Sequence, residues 1–188
     1  MTEKFKNKYR IKSIRLPHWD YRNNGMYFIT ICTKNRLYFF GNVKNGHVHL
    51  NEIGKLAYQY WNEIPEHFSF VKLGEFVVMP NHVHGILIVD KDGVSNVESL
   101  HCNDSTLEMV NDTLKNQHMS KISPKPGSIS TIIRSYKSVV TKNARKIHVE
   151  FEWQSRFYDH IIRNERSFKN ISNYIVNNPK NWKEDRFT

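Results

Sequence analysis

Residues 79–89 read MPNHVHGILIV. Pro80-Asn81 is a turn signal between two apolar, β-branched stretches, Phe70–Met79 and His82–Val89, so the segment reads as two antiparallel strands joined tightly. Side chains alternate faces along a strand, so His82 and His84 point the same way while Val83 enters the opposite layer. Two imidazoles side by side on one face form a chelating arrangement. An open catalytic metal site needs at least one more ligand.

Upstream, Met26–Thr33 (MYFITICT) is rich in aromatic and β-branched residues and follows the turn Asn23-Asn24-Gly25, which predicts a first strand. Lys44-Asn45-Gly46 separates two short candidate strands, Leu37–Val43 and His47–Leu50, as a hairpin turn does. His47 and His49 repeat the His-x-His spacing, but in a short polar hairpin they are expected to be a surface pair. From Asn51 the period becomes helical, with Ile53, Leu56, Ala57, Tyr60, Trp61 and Ile64 on one face and Pro65 ending the run.

Downstream, residues 91–126 carry no sustained period and many Asp, Asn, Ser, Lys and Gly, the pattern of a flexible insertion. A second helix is predicted from Ser128, with Ile129, Ile132, Ile133, Tyr136, Val139 and Val140 on its apolar face. A mixed segment, Arg156–Arg163, precedes a last helix running from about Glu165 through Phe168, Ile171, Tyr174 and Ile175. It stops near Asn177 or Asn178, because Pro179 disfavours helix in the residue before it. This order predicts an α+β, ferredoxin-like sandwich: an antiparallel sheet with helices on one face. A basic segment, 1–20, is expected to precede one domain spanning 21–188.

Composition narrows the function. The 188 residues carry a net charge of +10 that is unevenly spread: six Lys/Arg against two acids in 1–20, eight against ten in 21–120, and fourteen against six in 121–188. Basic ends interleaved with aromatics are the footprint of a polyanion binder, most often of nucleic acid. No apolar run approaches the roughly 18 residues of a membrane span, and the charged N-terminus has no signal-peptide core. Two cysteines without metal-type spacing, Cys32 and Cys102, imply a reducing compartment, and the cytoplasm is the expected address.

The last helix offers the missing ligand. Tyr174 and Asn178 are four residues apart and share a helical face. If that face lies over His82 and His84, Asn178 supplies an amide oxygen to a metal and Tyr174 presents its phenol beside the same ion. A cation on a phosphate and a phenol assisted to ionise describe phosphodiester transesterification by tyrosine. Two imidazoles and an amide alone would suit zinc.

Three motifs then carry a resemblance: Pro80-Asn81-His82-Val83-His84-Gly85, the segment 153–160 (WQSRFYDH), and Asn173-Tyr174 with Asn178-Pro179. In this order, over about Tyr27 to Trp182, they resemble the IS200-like single-tyrosine (HUH) transposases, specifically the REP-associated tyrosine transposase branch. The resemblance implies that His82, His84 and Asn178 hold a divalent metal, Mg²⁺ or Mn²⁺, and that Tyr174 is the nucleophile. It implies cleavage of single-stranded DNA near hairpin-forming repeats, a 5′-phosphotyrosine link, a free 3′-hydroxyl, and rejoining by reversal. Both monomer and homodimer fit the family.

Arg10, Lys12, Arg15, Arg134, Lys137, Lys142, Arg156 and Arg163 are the candidate DNA contacts. Tyr136 is expected to pack in the core, Tyr158 to be structural or to touch DNA, and Asp159 or His160 to be further ligands or bases of second rank. Two readings compete: a non-catalytic nucleic-acid-binding domain with a vestigial metal site, and a phosphodiesterase that uses metal-activated water.

Overall fold

The structure, a computed structural model, describes residues 19–92 and 125–182, with the backbone of two short paired strands, β1 (Lys4–Phe5) and β2 (Lys8–Tyr9). Arg10, Lys12, Arg15, Cys102 and residues 93–124 of the expected insertion lie outside the described residues, as do the side chains of most of the basic 1–20 segment.

The predicted first strand forms as β3 (Gly25–Cys32). The Asn45-Gly46 turn joins β4 (Gly41–Lys44) to β5 (His47–Leu50), with φ of 51° and 73° at its two central residues, the left-handed pair that a two-residue hairpin demands. His47 and His49 are exposed there, as a surface pair. The expected strand over Leu37–Val43 is only partly formed. Residues Lys34–Arg36 make a 3-10 turn with Asn35 and Arg36 at positive φ, and the chain pairs only from Gly41.

Asn51 caps α1 (Glu52–Asn62) by accepting a hydrogen bond from the Gly54 N–H at 2.9 Å. Pro65 does not only end that helix; it opens a further turn, α2 (Ile64–His67), where its missing N–H is harmless. β6 (Val71–Met79) and β7 (His82–Val89) are joined by Pro80-Asn81, with Met79 opposite His82. Ser128 caps α3 (Ile129–Ala144), β8 (Tyr158–Ile162) follows, and Asn164 caps α4 (Glu165–Asn177).

The sheet order is β6-β7-β3-β8, with every neighbouring pair antiparallel. With α1 crossing from β3 to β6 and α3 from β7 to β8, this is the expected ferredoxin-like α+β sandwich. One part of that expectation is corrected, because the helices do not all lie on one face. Tyr27, Ile29, Ile31, Val83 and Leu87 meet Trp61, Ile133 and Tyr136 of α1 and α3 in the main core. The alternate residues Met26, Phe28, Ile86, Ile88 and Ile162 face the other way and are covered by Phe168, Ile171 and Ile175 of α4. A strand apolar on both faces must be covered on both. Each fully buried isoleucine here contributes about 1.5–3 kcal/mol, enough to seat α4 firmly. Among the described residues no helix is long and apolar enough to cross a membrane.

Candidate active site

The face under α4 is where the histidine pair points. His82 and His84 sit at the start of β7, opposite Cys32 and Thr30 of β3, and both are buried. Their rings lie 4.3 Å apart between centroids. Gly85 follows because the opposite face allows nothing larger: a Cβ there would sit 2.3 Å from the Trp61 indole. The turn before the pair is held by backbone bonds from Thr33 N–H to Asn81 O and from Phe40 N–H to Pro80 O, at 2.9 and 3.0 Å.

Each imidazole is oriented through Nδ1. His82 Nδ1 lies 2.7 Å from Asn81 Oδ1; an amide oxygen only accepts, so this nitrogen carries the proton and Nε2 keeps its lone pair. His84 Nδ1 lies 2.8 Å from Thr30 Oγ1, and when it donates to that hydroxyl its Nε2 is likewise a lone-pair donor. Such partners are what orients metal-ligating histidines. The sequence reading assigns Asn81 only to the turn and the motif and gives Thr30 no role, although Thr30 sits at the alternation of β3 that faces this side.

The last helix runs alongside. Tyr174 Oη is 3.3 Å from His84 Nε2, and two turns on, the Trp182 ring stacks on His82 with centroids 6.0 Å apart. Asn178, the C-terminal cap of α4, lies midway between them in the chain and is buried. Its Oδ1, like His82 Nε2, is a buried polar atom that makes no hydrogen bond, though both residues have other partners. Two imidazole nitrogens, with a buried amide oxygen between Tyr174 and Trp182 in the chain, are a donor set of the kind that takes a divalent cation with open positions. No group of three His, Cys, Asp or Glu side chains among the described residues is arranged for a metal, so the set depends on the amide. Tyr174 itself is 42% exposed.

The rival residues separate cleanly. Tyr136 is buried in the main core, its hydroxyl donates to Ala57 O at 3.0 Å, and burial pushes its phenol pKa up. Asp159 alternates onto the main-core face, away from the histidine pair. His160 is exposed and faces the histidine side, opposite Phe28. Tyr158, opposite Thr30, is also on that side, at the sheet edge.

Arg134, Lys137, Lys142 and Arg156 line one groove of about 920 Å³ between α3 and residues 152–157, joined there by Arg145, which the sequence reading missed. Lys137 Nζ donates to the backbone oxygens of Gln154 and Arg156 at 2.7 and 3.1 Å, and burial lowers its pKa to about 8. Arg163 lies elsewhere, in a hollow beside β8 with Tyr158 and His160.

No family model matches the chain. A Haemophilus influenzae protein described only as uncharacterized is 40% identical over 176 residues, covering 93% of this chain and 91% of that one. Among solved structures, a REP-associated tyrosine transposase bound to a REP hairpin matches 92% of this chain and 74% of its own, with a TM-score of 0.56 and 18% identity. A putative transposase from Deinococcus radiodurans matches 89% of this chain and 97% of its own, with a TM-score of 0.45 and 14% identity. The first of these structures shows that the chain shares that transposase's fold, the fold expected from the three motifs.

Proposed function

The chain belongs to one family with the Haemophilus influenzae protein, and we propose that it is a metal-dependent single-stranded DNA endonuclease and strand transferase with Tyr174 as nucleophile. The observation that carries this reading is Tyr174 Oη at 3.3 Å from His84 Nε2, with His82 buried next to His84 and Asn178 buried one helical turn after Tyr174. The transposase fold supports it, and so does the net charge of +10.

His82, His84 and Asn178 would hold the cation, Mg²⁺ or Mn²⁺, since a phosphate substrate adds hard oxygen ligands. Bound there, it would polarise the scissile phosphate and favour ionisation of a neighbouring phenol. The Tyr174 oxygen attacks phosphorus, the bond to the 3′ oxygen breaks, and the 3′ oxygen leaves as a hydroxyl after taking up a proton. The DNA is left joined through its 5′ phosphate to Tyr174. His84 Nε2 cannot both hold a metal and take the phenol proton, so that proton leaves through the exposed side of Tyr174. One phosphoester replaces another, so rejoining by a 3′-hydroxyl needs no outside energy source.

The groove lined by Arg134, Lys137, Lys142, Arg145 and Arg156 is the natural seat for a DNA backbone, and a hairpin-forming repeat is the expected substrate. The test is covalent trapping. The protein is incubated with Mn²⁺ and hairpin-bearing single-stranded oligonucleotides, and mass spectrometry locates any DNA–protein adduct. An adduct on Tyr174 that disappears with EDTA supports the proposal. Cleavage without an adduct would instead indicate a water-activating phosphodiesterase. Tight binding with neither adduct nor cleavage would indicate a non-catalytic binding domain.

A further inference from the structure

Seven rings form an unbroken chain across the histidine face. Tyr38 meets Trp182 at 5.7 Å between centroids, Trp182 stacks on His82 at 6.0 Å, and His82 meets His84 at 4.3 Å. From His84 the chain continues to Tyr174 at 5.4 Å, then to Phe28 at 6.2 Å, and ends at Tyr158, 6.4 Å further. The rings come from the loop after β3, the starts of β7 and β8, β3 itself, and α4 with the turn beyond it. Their order is therefore a product of the tertiary fold.

The two histidines of this chain are buried, while Tyr174 and both end rings are open to solvent. Tyr38 is 56% exposed and Tyr158 is 40% exposed, while both histidines are covered. Rings serving only as core would be sheltered, as Trp61 and Tyr136 are on the other face. Cationic side chains accompany both ends in sequence: Arg36 and Lys180 each stand two residues before Tyr38 and Trp182, and Arg156 two before Tyr158. Lys180 packs against Gly46 at the β4–β5 turn, which holds the Trp182 segment beside the hairpin. Exposed aromatic faces with flanking cations are the physical pattern that holds a single-stranded polynucleotide, because every base offers a π-face and every linkage a charge.

We propose that this ring chain is the path of the single strand through the site. Tyr38 and Trp182 stack bases on one side of the scissile phosphate, and Tyr158, backed by Phe28, stacks one on the other. The phosphate between them is thereby set over His82 and His84, within reach of Tyr174. This path rests on the proposed strand transfer for its meaning but makes a separate claim, about binding. Stacking of this kind tolerates any base, so the path confers position, and sequence preference must come from elsewhere.

The test reads binding without cleavage. In EDTA, and in a Tyr174→Phe background, the affinity for a short mixed-sequence single-stranded DNA oligonucleotide is measured by fluorescence anisotropy. Tyr38→Ala and Tyr158→Ala are each expected to weaken binding roughly 5- to 150-fold, the range for loss of one stacked base. Tyr38→Phe and Tyr158→Phe should stay within about threefold, since they keep the ring, and Tyr58→Ala, an exposed ring on α1, should change nothing. Trp182 fluorescence, read against a Trp182→Phe control, should be quenched by the single strand and not by blunt duplex. Alanine variants at Tyr38 and Tyr158 that bind like the parent would overturn the path even if the Tyr174 adduct forms. Loss of binding in those variants, with no adduct ever seen in the wild type, would keep the path and remove the transferase.

Discussion

The two faces of one sheet put the same residue types to opposite uses. Under α1 and α3, Tyr136 is sealed against Trp61, its hydroxyl spent on the Ala57 carbonyl oxygen. Under α4, Tyr174 lies half out in solvent with its hydroxyl against His84. Both tyrosines sit on amphipathic helices beside isoleucines, and burial alone separates them. A buried phenol held by a backbone carbonyl is costly to ionise. A part-exposed phenol beside the His84 imidazole is not so constrained. The larger core stabilises the sheet, and the smaller one leaves room for chemistry.

The strongest break in this contrast is Tyr174→Phe against Tyr136→Phe. The first should abolish the covalent adduct while leaving thermal stability within about 0.5 kcal/mol, since it removes one part-exposed hydroxyl. The second should keep the adduct and lose about 1 kcal/mol of stability with its buried hydrogen bond. Denaturant unfolding alongside the trapping gel reads both.

Gly85 is the position where the two faces touch. Gly85→Ala drives a methyl into the Trp61 indole and toward Phe76. An expected loss of about 1–3 kcal/mol, the ordinary cost of overpacking, should appear as a lower denaturant midpoint. Metal affinity would fall with it only if the strand shifts under His84.

Thr30→Val is a more local probe. It keeps the shape and removes the hydroxyl 2.8 Å from His84 Nδ1. Mn²⁺ affinity, read by titration calorimetry, should drop roughly 10- to 100-fold while the fold survives, the usual effect of losing a partner that orients a ligand. Unchanged Mn²⁺ binding would detach Thr30, and with it His84, from the proposed metal site.

The smallest effect concerns the groove on the helix side. Burial lowers the Lys137 pKa to about 8, so its positive charge is present at pH 7 and largely gone by pH 9. Affinity for single-stranded DNA at fixed salt should therefore weaken a few-fold as pH rises across that window, with the salt slope falling by about 1. Lys137→Arg, which stays charged, should flatten the pH response. A pH response identical in both proteins would remove Lys137 from the interface.

Much of this was legible in the chain because it depends on near neighbours. The helix starts after Asn51 and Ser128 and near Glu165, the Asn45-Gly46 turn, and the stop at Pro179 are decided within a few residues of themselves. The shared direction of His82 and His84 follows from a strict period of two, and the shared face of Tyr174 and Asn178 from a helical turn. Their seating on the same side of the sheet is another matter. The ferredoxin-like pattern predicts all helices on one face, whereas α4 crosses to the other because β3 and β7 are apolar on both. Asp159 shows the converse. Its place beside His160 makes it a candidate ligand or base, yet the pleat turns it to the main-core face.

What the sequence by itself determined was the main strands and helices of the sandwich, their order, the paired histidines, and the tyrosine with its asparagine one turn on. All of these follow from backbone periods and local turn chemistry. What only the tertiary structure decided was which groups meet: Thr30 and Asn81 on the imidazoles, Trp182 on His82, Arg145 in the basic groove, and Tyr38 and Tyr158 at the ends of the ring chain. These contacts join residues from about ten to more than a hundred positions apart, or depend on which face an element presents. Their geometry is settled by burial of apolar surface across the whole sheet, a cooperative quantity that no local window of sequence contains.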